Sequence, residues 1–549
     1  MSRTSIELVA QVTHPASVAL PPATPNNAST YSIATRQSDS NDEDRRTLTE
    51  VVSTGQKDVS KGTTAVVITS VTCITGISSL LAGLVTVGLP TIAKDLDLAP
   101  SLELWPAAIY ALTCGCTLLL SGAVADVVGC RIMYLIGCVL QSAFTLACGL
   151  SRTGTQLIVF RGLAGIAISF CLPSAVSIIT NTLPEGKPRN IAFAAMGGGQ
   201  PIGFSLGLAL GGVFADSIGW QWGFHIAAII NTVIFVVALW GLPKNIGEAA
   251  AVSWQRLAYD IDWVGAALAS ISLAMFSYVL ATLTSSTSNI RVPTNIALLA
   301  IAILLVPAFV LWVGRQERLK RPALIPNSLW RNRVFTAICL AVFLTWGAFN
   351  AVENILTFYF QYVQQISAIQ TSLRFLPAPV SGALTNLVMG LVVHRVRADW
   401  AVSIATAVSC VAPLAMAVVN PQWSYWTAPF WAVFLNPIGA DTLFTISNLL
   451  ITSVFPSKTQ GLAGGVFNTI AQIGKSVGLA TSAVVAASVT ARVRGVESKG
   501  EGGHAGATPE SLMEGYRATF WYIFALGVAT LAVSVWGLRK IGRVGVKRE

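Results

Sequence analysis

Apolar runs of about 20 residues follow one another from about Ala65 to Trp536, joined by short polar connections. A backbone inside a bilayer finds no water for its N–H and C=O groups, so runs of this length fold there as spanning helices. Fourteen are predicted, at about 65–92, 105–125, 131–150, 155–180, 190–215, 223–243, 261–283, 294–314, 334–359, 371–393, 400–419, 425–452, 459–490 and 517–538. The first, ninth and thirteenth are long enough to tilt or to include interfacial ends. Only 11% of the residues are charged, against roughly a quarter in soluble domains, which sets a water-soluble fold aside. The expected class is all-α and polytopic.

The runs are also related to one another. Ile202-Gly203-Phe204-Ser205-Leu206-Gly207-Leu208-Ala209 returns as Ile473-Gly474-Lys475-Ser476-Val477-Gly478-Leu479-Ala480, and Ile179-Thr180 with Pro184 returns as Ile451-Thr452 with Pro456. Duplicated membrane halves are how many secondary transporters are built, with the substrate path between the halves. The offset separates a six-helix bundle at 62–243 from a second at 334–538. A linker at 244–333 carries two inserted spans, and its Arg315 to Arg333 stretch holds six basic residues, as expected of a lipid-surface segment. Residues 1–61, rich in Ser, Thr, Pro and Asn, read as a disordered cytoplasmic tail without a cleavable signal peptide, and 539–549 as a basic cytoplasmic tail. The sequon at Asn27 would then face the cytoplasm and stay unmodified. The loop at 491–516 is the longest outer excursion and too short for a domain.

The net charge of +10 follows topology rather than a nucleic-acid ligand. With both termini cytoplasmic, 25 of the 35 Lys and Arg fall on the cytoplasmic side, 7 on the outer side, and Arg161, Arg374 and Lys475 within spans. The nine cysteines lie in or beside spans, with no loop cluster that would indicate disulfides or a metal. The four histidines are scattered and no phosphate-binding loop is present, which argues against an enzyme, a cofactor and ATP-driven pumping.

Three motifs stand out. Gly122 to Arg131 (GAVADVVGCR) follows the second span; its glycines permit a tight turn, and Asp126 and Arg131 sit where a charge latch between bundles would act. A worn copy, Gly390 to Arg397, has His394 in the place of Asp126. In the fourth span Arg161-Gly162-Leu163-Ala164-Gly165 puts a guanidinium inside an apolar run, which is costly unless it faces a cavity or partner; snorkelling from the nearby helix end competes with that reading. In the fifth span Gly199, Gly203, Gly207 and Gly211 line one helix face beside a kinking Pro201.

As a set, over about residues 65–540, these motifs resemble those of the major facilitator superfamily, and the fourteen spans resemble its drug:proton antiporter branch, particularly the fungal members. Val87-Gly88-Leu89-Pro90 and Trp105-Pro106 to Tyr110 are similar to that branch as well. The resemblance implies gating by Gly122, Asp126, Gly129 and Arg131, a part in proton transfer for Arg161, and bending or packing at Gly165, Gly199, Pro201, Gly203, Gly207 and Gly211. The chain departs from the pattern at Leu81, where many members carry an acidic residue, and at Cys130 in the loop motif. No first-span carboxylate can therefore carry the proton.

The remaining intramembrane charges are Glu353, beside Asn350 and Asn354, Asp441, after Asn436-Pro437, and Lys475, aligned with Phe204. Lys475 is expected to pair with Asp441 or Glu353, because an unpaired buried charge is expensive. A carboxylate that trades a proton for substrate needs burial to hold that proton near neutral pH, and Glu353 and Asp441 are the candidates. A purely structural ion pair is the competing reading, and Arg374 reads as an interfacial anchor. Aromatic residues crowd the ninth and twelfth spans; Trp346, Asn350, Phe358 and Trp431 are the expected cavity residues, against a lipid-facing belt as the alternative.

The expected function is export of small, largely lipophilic organic compounds in exchange for protons, at the plasma membrane or a vacuolar one. Substrate, protons and the bilayer are the expected partners, with no nucleic acid and no obligate protein. Uptake or vacuolar loading of a specific solute, such as a basic amino acid or siderophore, is the alternative, and acidic residues on the cavity wall would favour a cationic solute. A transport-inactive sensor should carry a long ordered cytoplasmic extension, which the first 61 residues do not resemble.

Overall fold

The computed structural model describes residues 60–99, 102–184, 187–243, 254–259, 261–285, 290–393, 395–454, 457–494 and 508–539, and the regular elements among them are all helical. The tails, the Asn27 sequon, Pro456, His394 and the middle of the 491–516 loop lie outside these residues. The first group of helices is α1 Lys61–Asp95, α2 Trp105–Val128, α3 Cys130–Gly149, α4 Gly154–Thr182, α5 Lys187–Asp216 and α6 Gln221–Gly241. A short α7, Trp254–Tyr259, leads to α8 Trp263–Ser285 and α9 Pro293–Arg318, and a one-turn α10, Asn327–Trp330, follows. The last group is α11 Arg333–Phe358, α12 Ala368–Phe375, α13 Pro377–Val392, α14 Ala398–Ala417, α15 Pro429–Val454, α16 Ser457–Val493 and α17 Pro509–Gly537.

Local chemistry sets many of the boundaries. Ser60, Thr153, Ser367 and Thr508 accept first-turn N–H groups as N-caps, and Asn332 Oδ1 accepts from Val334 and Phe335 at the start of α11. Gly129 separates α2 from α3 with φ +107°, a backbone conformation that side chains with a Cβ resist.

Twelve of the described helices are long and apolar enough to cross a membrane. The tenth and twelfth expected spans are not among them. The tenth is divided at Leu376 into α12 and α13, because Pro377 has no N–H to continue the ladder. The twelfth is α15, 26 residues long, whose apolar content is diluted by Asn436, Pro437 and Asp441.

The repeat reappears in the packing. α1 lies on α5, α2 and α3 on α4, and α3 on α6; 271 residues later α11 lies on α16, α13 and α14 on α15, and α14 on α17. The α1–α5 crossing brings backbones into contact: a Cβ on Gly203 would stand 2.0 Å from Gly76 O, and one on Gly207 2.0 Å from Leu80 O. In the second half a Cβ on Gly478 would stand 2.3 Å from Gly347 Cα, and one on Gly474 2.4 Å from Phe343 O. Gly76 and Gly347 are themselves 271 residues apart. Gly76 thus meets Gly203, while its counterpart meets Gly478, the counterpart of Gly207. The two crossings differ by one helical turn.

The inserted helices are fastened at few points. Asp262 Oδ1 accepts from Gly265 N and Trp312 Nε1, both at 2.8 Å, and Oδ2 from Leu324 N at 3.3 Å, tying α8, α9 and the chain after α9 together. Ser270 donates to Cys116 O on α2 and Ser272 to Ala302 O on α9. Only 11% of the apolar window of α9 is buried, so its surface meets lipid.

Gly203→Val is expected to force α1 and α5 apart, lowering the thermal midpoint of purified protein by at least several degrees and cutting its monodisperse yield. The cost exceeds the roughly 1–3 kcal/mol of ordinary core overpacking, because backbone atoms cannot rotate aside. Gly198→Ala, whose added Cβ meets nothing within 4 Å, is expected to leave both readings at or slightly above wild type.

Candidate functional site

The repeat-related helices meet around a central space. Counterpart positions face it: Ser79 and Asn350, Ala82 and Glu353, Thr75 and Trp346, Phe204 and Lys475. It has two adjoining compartments, of about 690 and about 860 Å³ when space open to solvent is included. They share Ser79, Ala82, Gln200, Trp346, Asn350, Phe444 and Lys475. The smaller also takes Pro201, Phe349, Glu353, Gly382 and Asp441; the larger takes Tyr110, Arg161, Asn354, Asn468 and Gln472.

α11 supplies one wall. Trp346, Asn350 and Glu353 recur at helical spacing on one face, and Asn350 and Asn354 each return a side-chain N–H to a carbonyl one turn back, at 2.9 Å. Glu353 is 1% exposed; its Oε1 accepts from Asn436 Nδ2 at 2.9 Å, and its Oε2 is without a hydrogen bond. After Phe358 the helix widens into a π turn, Tyr359–Val363, a feature frequent at functional sites.

α15, joined to α11 by the Asn436–Glu353 bond, supplies another part of the wall, and Pro437 interrupts its backbone ladder. Ser409 of α14 inserts its hydroxyl into the opened ladder, donating to Leu435 O at 2.9 Å and accepting from Gly439 N at 2.7 Å. Beyond this break stands Asp441, whose Oδ2 has no hydrogen bond and would lie 2.7 Å from a Cβ on Gly382. Pro201 packs against the same glycine from α5.

The cations are held by rings. Lys475 was expected in an ion pair; among the described residues it makes none, and its ammonium stands 4.6 Å from the Trp346 ring centre. Lys475 projects from α16 and lines both compartments, with the Trp346 ring rather than a carboxylate against its ammonium. Arg161, 1% exposed, lies 4.5 Å over Tyr110, and its Nε donates to Pro106 O at 3.0 Å. That burial removes the snorkelling reading. Tyr110 is fixed in turn by Ser78 at 2.7 Å.

Other expected residues lie elsewhere. Phe358 is buried in the core against Tyr362 rather than on the cavity wall, one turn beyond Asn354, where the cavity-lining stretch of α11 ends. Trp431 is 49% exposed within a ring cluster with Phe430 and Phe434, a belt on the outer side of α15. Asp126 is exposed and has no ion pair among the described residues, while Arg131 Nη2 donates to Leu239 O at 2.8 Å, capping α6 within its own half. Gly165 permits contact of α4 with Tyr110 O, Gly199 with Thr72 O, and Gly211 with Leu84 O. Gly122 meets only Pro173, at 3.4 Å. Arg374 is an anchor in part: it lies over Phe360 and Tyr425 and donates to Gln364.

A set of contacts that the sequence reading missed joins the halves at the face where α1 ends. Gln361 Nε2 donates to Val87 O at 2.9 Å and Tyr362 to Glu103 Oε1 at 2.6 Å. Asp216 Oδ2 accepts from Ile369 N at 2.7 Å, while Ser372 accepts from Gly212 N at 3.0 Å and donates to Leu208 O at 2.5 Å. No motif marks these residues. Ser79 and Asn350, by contrast, were within reach of the repeat offset once extended to the first span.

A polar and aromatic cavity midway along spanning helices, between duplicated helix groups bonded together at one face, defines a secondary transporter of small molecules rather than an enzyme. The chain belongs to the Major Facilitator Superfamily, which matches residues 71–479. It is similar to MFS-type transporter 1 of Pyricularia oryzae, 43% identical over 525 residues that cover 89% of this chain and 85% of that one. It is also similar to the aminotriazole resistance protein of Saccharomyces cerevisiae, 26% identical over 444 residues covering 79% and 76%. Among solved structures, an inward-facing, occupied bacterial homologue of the human lysosomal transporter Spinster shares the fold, with a TM-score of 0.59 at 14% identity over 88% of this chain and 98% of that one.

Asp216→Ala together with Ser372→Val is expected to loosen the bonded face. In a cysteine-depleted background, Ser79→Cys should react with a membrane-impermeant maleimide applied at that face at least fivefold faster when these substitutions are present. An unchanged rate would show that the bonds do not control access.

Proposed function

We propose that this transporter exports small, largely lipophilic organic compounds by alternating access, driven by protons moving the opposite way, and that it belongs to the drug:proton antiporter branch with fourteen crossings. In this reading α12 with α13 and α15 complete the count, six helices on each side form the moving bundles, and the inserted α8 and α9 ride on them. Both termini are cytoplasmic, following the distribution of Lys and Arg, and the plasma membrane is the site of action. The observation that carries the proposal is the pairing, in one compartment, of two carboxylates with an aromatic wall: Glu353 and Asp441 beside Phe204, Trp346, Phe349 and Phe444. A buried carboxyl that loses its proton on one side and regains it on the other couples proton and substrate when both compete for the same space. The yeast relative's name, with its reference to aminotriazole resistance, supports the outward direction. Gly122, Asp126, Gly129 and Arg131 act at the face where α2 ends, gating the opposite mouth.

A second reading, uptake or vacuolar loading of a cationic solute such as a basic amino acid, is favoured by the same two carboxylates on the cavity wall.

The test uses inside-out vesicles acidified by a proton pump, a lumenal pH dye and a panel of lipophilic compounds. Wild type is expected to alkalinise the lumen with some of them, and Glu353→Gln with Asp441→Asn to reduce the initial rate at least tenfold at equal expression. No response to any compound from correctly inserted wild type would count against export, and an undiminished response in the double variant would remove the carboxylates from coupling.

A further inference from the structure

The ionisable groups of the central cavity are sorted by sign. The larger compartment is lined by Arg161 and Lys475 and by no carboxylate; Glu353 and Asp441 line only the smaller one, with Lys475 at the boundary. Among the described residues neither cation forms an ion pair. Arg161 uses only its Nε–H among the described residues, leaving both Nη groups without an acceptor, and Lys475 has a ring beside it but no hydrogen bond or ion pair. The rest of the wall supplies amide and hydroxyl groups, among them Asn354, Asn468, Gln472 and Thr86. Two uncompensated cations in a low-dielectric space are costly, and the cost is relieved when an anion enters between them. Cation–π contact with Tyr110 and Trp346 is worth only about 0.5–2 kcal/mol and leaves the outward donors free.

We infer that the larger compartment is an anion subsite, and that the compounds carried are amphiphilic organic anions: a carboxylate, sulfonate or similar group bound between Arg161 and Lys475, with the apolar body against Trp346 and Phe444. This rests on the transport reading above and narrows its substrate class. In this arrangement Lys475 swings from the Trp346 face to the anion, and the freed ring closes on the apolar body. The two carboxylates line only the smaller compartment, outside the anion subsite, and remain available to protons. Moving an anion outward while a proton moves inward carries positive charge inward on both counts, so an inside-negative potential assists the exchange.

The probes that test this are a matched pair of permanent charge: radiolabelled naphthalene-2-sulfonate and (naphthalen-2-ylmethyl)trimethylammonium. Full-length protein is reconstituted in liposomes with an acidic lumen and a trapped pH dye. Wild type is expected to accumulate the sulfonate and not the ammonium ion. Lys475→Met and Arg161→Met should each lower the sulfonate rate at least tenfold, while Lys475→Arg keeps at least a third of it, which separates charge from folding. Accumulation of the ammonium ion instead, or sulfonate rates unchanged in both Met variants, would overturn the inference while leaving proton-driven transport standing if the lumen alkalinises. Sulfonate movement without a lumenal pH change would uphold the anion subsite and remove proton exchange. Movement of neither probe would overturn the anion assignment, and the response to the lipophilic panel decides the export reading separately.

Discussion

Contact between helix backbones, permitted by glycine, is what the rest of the molecule depends on. Where α1 meets α5 at Gly76 and Gly203, and α11 meets α16 at Gly347 and Gly478, no side chain stands between the carbonyl of one helix and the Cα of the next. In lipid there is little hydrophobic drive for helices to associate, so close van der Waals contact over a long crossing supplies the attraction. Each crossing therefore moves as one piece, and each presents one continuous wall to the cavity. The one-turn difference between them means that counterpart residues do not stand at counterpart depths. Phe204 and Lys475, aligned in the repeat, consequently face different surroundings: the first lies tilted against the Phe349 ring and lines the smaller compartment, the second lines both compartments.

The charges follow from the same asymmetry. Apart from Arg161, the ionisable groups of the cavity belong to the second half, at positions where the first half has Ala82, Phe170 and Phe204. Duplication supplied the frame and substitution in one copy supplied the chemistry. The expected ion pair between Lys475 and a carboxylate would have been the cheap way to hold three charges in an apolar setting. The structure instead keeps them apart, with Trp346 and Tyr110 against the cations and Asn436 against Glu353. An ion-paired triad would have had its charges satisfied by protein; here Glu353 Oε2 and Asp441 Oδ2 are left without hydrogen bonds.

Much of the frame was legible in the sequence because lipid permits so few backbone solutions. Apolar length predicted the helices, the glycine face of the fifth span at Gly199, Gly203, Gly207 and Gly211 predicted a close helix approach, and Arg161, Glu353, Asp441 and Lys475 were singled out because buried charge is rarely idle. Errors arose where the outcome depends on which way a residue points. Trp431 and Phe358 were placed on the cavity wall from crowding alone, yet one faces outward and the other turns into the core. The break at Pro377 was missed because an apolar run does not show whether a proline kinks a helix or divides it. The bonded face was illegible because Asp216, Gln361 and Ser372 are ordinary polar residues in sequence and become partners only through the fold.

The two kinds of contact differ in strength, and the difference decides what moves. Of the five bonds joining the halves where α1 ends, the three between neutral groups are each worth about 0.5–1.5 kcal/mol net and the two to the carboxylates of Glu103 and Asp216 about 1.5–3 kcal/mol, so together they hold that face by roughly 5–10 kcal/mol. A ligand that binds one state better than the other by a comparable amount can shift such an equilibrium. The glycine crossings offer no such option, since separating them exposes backbone along whole helix faces. Motion is thereby directed to the boundary between halves, and within a half to the points already weakened: the Pro437 break held by Ser409, the division at Leu376, and the π turn after Phe358. All three lie on or next to the helices that carry Glu353 and Asp441. The π turn itself carries Gln361 and Tyr362, and α12, which ends at the Leu376 division, carries Ser372, so the weakened points and the bonded face share the same short segments.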